Sequence, residues 1–269
     1  MTDRYAVIGH PVAHSKSPLI HAEFARQTGQ SIEYERLLAP LDGFAATVAR
    51  FRAGGGRGAN VTLPFKQEAF ALADRVSERA RRAAAVNTLR FDADRIYGDN
   101  TDGAGLVADL ERNLDFALSG KRVLLVGAGG AARGVIPALL DAGIGELVVA
   151  NRTVARAEEL ERVFAPRLEA SAFRPLAGRK FDLVINATSA TLSGDLPDLP
   201  AGLYAPEALA YDMMYGKADM PFLAAARRDG ASRVADGLGM LVEQAAESFL
   251  LWRGVRPDTT PVMRMLRGS

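Results

Sequence analysis

Short apolar runs rich in β-branched residues recur at positions 5–8, 58–63, 123–126, 147–150 and 183–185. Runs of this length, closed by glycine or polar residues, have the form of buried strands. Between them lie alanine-rich stretches in which apolar residues return at helical spacing. The alternation predicts an α/β protein built from βαβ units around largely parallel sheet. A helix predicted from 103 to about 114 leads through Ser119-Gly120-Lys121-Arg122 into a fresh strand. Near Asp236-Gly237 the pattern breaks again. Residues 240–252 then read as one long helix with Leu241, Ala245, Phe249 and Trp252 on its apolar face. The predicted domains are therefore residues 1–101 plus 238–269 and residues 102–237, with the last helix returning to complete the first and a cleft between the two. The run AGGGRG at 53–58 reads as a flexible turn.

Composition narrows the class. The chain has 269 residues, 48% of them apolar and 24% charged, enough to bury two ordinary cores. Its 33 basic and 32 acidic residues leave a net charge of +1 with no basic tail, which argues against a nucleic-acid partner. The absence of cysteine excludes disulfides and thiolate metal sites. The apolar run before Gly9 is too short for a signal-peptide core, and no run approaches the roughly 18 residues needed to cross a bilayer. A cytoplasmic protein is expected.

The segment VLLVGAGGAA at 123–132 is a buried strand followed at once by G-x-G-x-x-A and a helical stretch to Leu140. Gly127 permits the tight turn, Gly129 lets backbone approach a pyrophosphate, and the small Ala132 lets helix pack on strand. The helix start then offers free N–H groups and roughly half a positive charge to phosphates. This is the form of a Rossmann-type dinucleotide domain. An NAD site usually ends its second strand in an acid that holds the ribose 2′-hydroxyl. Here the strand ends in Asn151-Arg152-Thr153, with Arg156 one turn later. Two arginines without an acid suit a 2′-phosphate, so NADP is the predicted cofactor.

In the first domain, HSKSP at 14–18 predicts a helix capped by Ser17 with Pro18 at its first position. Ser15 and Ser17 then sit at a helix start, where a small carboxylate can bind. His10, His14 and His21 fall nearby, but Pro11 and Pro18 break the helix that His14 and His21 would need to share, and no metal site is predicted. NVTLPFK at 60–66 runs a strand into a helix expected to begin at Pro64, with Lys66 in its first turn, where the dipole disfavours an ammonium. The polar clusters AVNT at 85–88 and GDNTDG at 98–103 carry more hydrogen-bonding groups than turns require. A carboxylate from them beside Lys66 would form a dyad able to pass one proton. Each residue has a plainer reading alone: Ser17 a cap, Lys66 a solvated lysine, Arg152 and Arg156 two solvated arginines.

Taken together, HSKSP, NVTLPFK, AVNT, GDNTDG, GAGGAAR, NRT, NATS, DMMYGK at 212–217 and DGLGMLVEQAAESF resemble the shikimate dehydrogenase family over essentially the whole chain. The resemblance implies reversible NADPH-dependent reduction of the 3-keto group of 3-dehydroshikimate, a step of aromatic amino-acid biosynthesis by way of chorismate. It implies that Ser15 and Ser17 hold the substrate carboxylate. Thr62, Lys66, Asn87, Asp102 and Gln244 would hold the ring hydroxyls and the reacting oxygen, with Lys66 and Asp102 catalytic and Tyr215 near the same cleft. On the cofactor side it implies Gly127, Ala128, Gly129, Gly130, Ala131, Asn151, Arg152, Thr153 and Arg156. Thr188, Met213, Gly237 and Met240 would lie around the ribose and nicotinamide. A monomer or homodimer is expected.

Two departures stand out. The glycine often found before AVNT is Ala84 here, and a glycine often found just after NATS is delayed to Gly194. A quinate or dual quinate/shikimate dehydrogenase shares the scaffold. A non-catalytic ligand-sensing relative would lack Lys66 or Asp102, and both are present.

Overall fold

The computed structural model describes residues 2–188, 196–216 and 220–268. The chain forms two compact units, Met1–Gly105 with Leu241–Ser269, and Leu106–Met240.

The first unit is built on strands β1 (Asp3–Gly9), β2 (Ile32–Leu38), β3 (Gly56–Val61), β4 (Arg75–Val76), β5 (Thr88–Phe91) and β6 (Ile96–Asp99), in the order β2-β1-β3-β5-β6-β4. β1 is parallel to β2 and β3, but β5 runs antiparallel to both β3 and β6. β4 is parallel to β6, so β5 is the one reversed strand of the six and the largely parallel reading holds for this sheet. β5 and β6 are short strands joined by the polar turn 92–95, closed by Asp92 N–H donating to Arg95 C=O at 2.9 Å. Only antiparallel partners accept so short a connection.

One face of this sheet packs Ile8, Val61 and Leu89 against Phe44 and Val48 of α2 (Phe44–Ala53) and against Phe65. The other face meets α1 (Ser17–Thr28) and α9 (Leu238–Arg253) through aromatic rings. Tyr5 stacks on Trp252 at 4.6 Å, His21 on Tyr34 at 4.3 Å, and Phe24 meets Phe249 edge-on at 5.8 Å. The run 53–58 is not simply a flexible turn, because Gly56 and Gly58 lie within β3. A Cβ on Gly58 would stand 2.6 Å from Trp252 Nε1, and that indole N–H donates to Leu89 C=O at 2.9 Å. Close approach of the ring, rather than flexibility, explains the glycine.

The second unit holds β7 (Arg122–Val126), β8 (Glu146–Ala150), β9 (Glu169–Ser171), β10 (Phe181–Asn186), β11 (Tyr204–Asp212) and β12 (Arg233–Asp236). All are parallel, in the order β12-β11-β10-β7-β8-β9. Chain order runs outward both ways from β7, the doubly wound arrangement whose switch point lies between β7 and β10. Leu125, Val135, Ile136 and Leu139 bury one face, including that of α6 (Gly130–Asp141). Val126, Phe222 and Leu223 bury the other, beneath α8 (Pro221–Arg228). The helix expected from 103 is α5 (Asp102–Ala108), which widens into a π turn over Asp109–Asn113. Buried Asp109 accepts the Tyr211 hydroxyl at 2.7 Å there. Burial, with the Asp109 charge adding to it, raises the Tyr211 phenol well above its ordinary range.

Candidate active site

Lys66 is the first residue of α3 (Lys66–Leu72). The helix starts two residues later than the sequence suggests, since residues 63–65 form a turn in which Phe65 N–H donates to Thr62 C=O at 3.1 Å. Lys66 keeps its first-turn position. Its Nζ donates to Asp102 Oδ2 at 2.5 Å, with side-chain exposures of 13% and 7%. Asp102 begins α5, its N–H capped by Asn100 Oδ1 at 3.1 Å. Its other oxygen accepts Asn87 Nδ2 at 2.8 Å.

The backbone sets the direction of this cluster. Asn87 Oδ1 accepts Thr101 N–H at 2.9 Å, which turns Nδ2 toward Asp102 and toward Gln244 Oε1 at 3.2 Å. Gln244 in turn gives its Nε2 to Leu241 C=O at 2.8 Å, one turn back on α9. Four sequence-predicted residues, Lys66, Asp102, Asn87 and Gln244, thus form one hydrogen-bonded group. A second tier went unrecognised in the sequence. Asn60 Nδ2 donates to Ser248 Oγ at 2.9 Å, Ser248 and Thr88 hydroxyls lie 2.8 Å apart, and the Thr88 hydroxyl donates to Asn87 Oδ1 at 2.8 Å. All three residues are buried polar groups on apolar elements. Ser248 stands four residues after Gln244 on the same helix, the one signal by which spacing could have revealed it.

Ser17 is the first residue of α1, and Lys16 rather than Ser17 occupies the cap position without a side-chain cap. Ser15 Oγ instead accepts Ser17 N–H at 3.3 Å and donates to Ser17 Oγ at 3.1 Å. Both serines are buried, and the first turn contains no acid. Thr62 follows β3 directly, its N–H donating to Ile8 C=O at 2.9 Å. Tyr215 belongs to the second unit, in the segment after β11.

In the second unit Gly127 adopts a left-handed φ of 111°, and a Cβ there would stand 3.1 Å from Thr188 Cγ2, so turn and threonine are neighbours. Around Gly129 a Cβ would meet nothing within 4 Å. Packing therefore does not demand that glycine, and the space in front of α6 is open to a ligand's approach. Ala128 is buried, while Gly130 and Ala131 form the first turn of α6. β8 ends at Ala150, Asn151 Nδ2 donates to Thr153 C=O at 2.8 Å, and α7 (Val154–Phe164) comes next. Arg152 and Arg156 are exposed, and neither is ion-paired among the described residues. A Cβ on Gly237 would come within 2.3 Å of Met213 C=O, so these two also adjoin. Met240 is buried in this unit's core.

Sequence reasoning also passed over Asn186 and Asp212, fully buried at the ends of β10 and β11. Asn186 Oδ1 accepts the Thr188 hydroxyl at 2.7 Å, and its Nδ2 donates to Asp212 Oδ2 at 3.2 Å. Asp212 Oδ1 accepts Met214 N–H at 3.0 Å. The pair holds two loops that carry predicted cofactor residues. Among the described residues no group of three or more His, Cys, Asp or Glu is placed to hold a metal ion.

Three family models match the chain: the shikimate dehydrogenase substrate binding domain over residues 7–89, shikimate / quinate 5-dehydrogenase over 109–193, and the shikimate 5′-dehydrogenase C-terminal domain over 237–267. A shikimate dehydrogenase (NADP(+)) of Nitrosospira multiformis is 63% identical, covering 100% of this chain and 98% of its own. The chain belongs to the shikimate dehydrogenase family. Among solved structures, an Ael1 enzyme from Pseudomonas putida superposes with a TM-score of 0.91 at 53% identity, covering 98% of both chains. Shikimate 5-dehydrogenase from Thermus thermophilus, in complex with NADP(H) and shikimate, gives 0.86 at 37% identity, covering 99% of both.

Of the two departures from the family pattern, Ala84 has a clear structural setting. It caps α4 (Glu78–Ala83) at φ 48° and ψ 38°, a left-handed conformation that favours glycine. The other, residues 190–194, lies outside the described residues, as does Lys217 of the DMMYGK run.

Proposed function

We propose that this chain catalyses the reversible NADPH-dependent reduction of 3-dehydroshikimate to shikimate, with Lys66 and Asp102 as the catalytic pair. The observation that carries the reading is the ammonium of Lys66, held 2.5 Å from a carboxylate that Asn87 fixes from the other side. The unit Met1–Gly105 with Leu241–Ser269 would bind substrate and the unit Leu106–Met240 would bind NADP. These boundaries lie three or four residues beyond those expected from the sequence, and put Asp102 with the substrate residues and Met240 with the cofactor residues. The open space at Gly129 fits a pyrophosphate, and Arg152 and Arg156, exposed and without an ion pair among the described residues, fit a 2′-phosphate. Gly127, Ala128, Gly130, Ala131, Asn151 and Thr153 would line the phosphates and adenosine ribose, with Thr188, Met213, Gly237 and Met240 toward the nicotinamide. When bound, the nicotinamide supplies or accepts the hydride.

Ser15 and Ser17 would hold the ring carboxylate at the start of α1, where the dipole favours an anion. Thr62, Asn87, Asp102, Gln244 and Tyr215 would take the hydroxyls. In the reductive direction Lys66 Nζ donates a proton to the carbonyl oxygen as negative charge develops on it, and in the oxidative direction the amine takes that proton back. Asp102 keeps Nζ aimed at the reacting oxygen. The setting would be the cytoplasm.

Following NADPH absorbance with purified protein tests the reading. Turnover of 3-dehydroshikimate, and in reverse of shikimate with NADP, is the expected outcome. Faster oxidation of quinate, or a preference for NAD, would overturn it.

A further inference from the structure

Alternation along β2 sends Tyr34 and Arg36 to one face of the strand. That face lies under α1, because Tyr34 stacks there on His21 at 4.3 Å. The Arg36 guanidinium consequently reaches the loop entering α1, where Nε and Nη2 both donate to the Ser15 carbonyl, at 2.9 and 2.6 Å. Arg52 lies on the Asp92 and Ala93 carbonyls, away from the serine pair, while several other arginines of this unit lie on carboxylates: Arg4 on Glu35, Arg26 on Glu23, Arg79 on Asp99. Among the described residues Arg36 has no such partner. A guanidinium held by a neutral carbonyl has no counter-charge on its partner, and this one is attached to the residue that carries half of a buried hydroxyl pair. No acid in the first turn of α1 offsets it.

We propose that Arg36 is a positioning and specificity-determining residue, fixing the Ser15 backbone and supplying the positive field that selects a substrate bearing a carboxylate over its neutral analogue. It acts through Ser15 rather than by touching substrate. The inference rests on the reading that Ser15 and Ser17 hold the carboxylate.

The test compares kcat and KM for shikimate and for its methyl ester in the wild type, Arg36→Gln, Arg36→Lys and the double variant Ser15→Ala/Ser17→Ala, with thermal melting as a check on folding. In Arg36→Gln the KM for the acid should rise on the order of tenfold, the scale of one charge-assisted contact, with kcat little changed. The KM for the ester should hardly move, Arg36→Lys should recover much of the loss, and added salt should narrow the difference. Equal losses for acid and ester would mean a purely structural clamp and would overturn the inference. An unchanged KM for the acid in Arg36→Gln, beside a raised one in the serine variant, overturns Arg36 alone. Silence in both variants removes the serine reading as well. An acid-selective effect in Arg36→Gln with a silent serine variant locates the carboxylate elsewhere and also overturns action through Ser15.

Discussion

Lys66 and Asp102 meet because their backbones are fixed independently: Lys66 opens a helix after a tight turn, and Asp102 opens another capped by Asn100. Behind them the Asn60, Ser248 and Thr88 tier ends on Asn87, so the amide that steadies Asp102 is itself held on both sides. His21, in the neighbouring aromatic layer, is fully buried, and among the described residues neither ring nitrogen has a hydrogen-bond partner. Burial lowers its pKa from 6.5 to about 3, opposed more weakly by the nearby Asn60 side chain, which lies outside hydrogen-bond geometry. An unfolded chain therefore takes up a proton between those values that the folded chain refuses, and stability falls as pH falls through the window. Well below pH 6.5 the slope approaches about 1.4 kcal/mol per pH unit. His21→Phe keeps the stacking and removes that proton, so its urea midpoint should drop less between pH 7 and pH 5 than the wild type's. Identical drops would refute the assignment. The contact between Lys66 and Asp102 was legible chiefly through the family resemblance, local sequence offering only a polar cluster whose carboxylate could lie near the lysine. Thr88 and Ser248 were not, since nothing local tells that a hydroxyl will be buried against an amide from another element.

At the scale of elements β7, β8 and β10 could be read almost residue by residue, because each carries an apolar run buried on both faces. By contrast β9 and β12 are short and partly exposed, and β11 is interrupted by exposed Pro206 and Glu207. β5 and β6 could be read only as strand-like segments beside the AVNT and GDNTDG clusters: four-residue strands, one starting at Thr88 and the other ending at Asp99, carry too few apolar positions to fix their bounds or direction. The starts of α1 and α3 each differ from expectation by a residue or two, where a side-chain hydrogen bond or a tight turn displaces the first helical residue. Ala84 closes α4 in a left-handed conformation that costs an L-residue about 1–2 kcal/mol, partly offset by the greater unfolded freedom of glycine. Ala84→Gly should therefore stabilise the protein by about 1 kcal/mol and raise its melting temperature by a few degrees without altering turnover. A lower melting temperature would show that the alanine methyl contributes packing that outweighs the strain.

For the molecule as a whole, the two units divide the proposed labour, and α9 belongs to both, carrying Met240 in one and Gln244 a turn later in the other. The doubly wound sheet was foreshadowed by GAGGAA after an apolar strand, but the mixed sheet of the first unit was not, since strand direction is set by connections whose length a pattern of apolar runs does not reveal. Cofactor choice belongs to this scale too, because the proposed reading assigns it to the residues after β8 rather than to the glycine turn. Replacing Arg152 and Arg156 together by Ala should raise the KM for NADP by at least about tenfold and leave that for NAD nearly unchanged. Equal effects on both would contradict a 2′-phosphate role. The proton step is the centre of the account, and shikimate oxidation by Lys66→Ala probes it most directly. The kcat should fall at least ~100-fold while the KM for shikimate changes little. An unaltered kcat in a folded Lys66→Ala protein would contradict the role given to that residue.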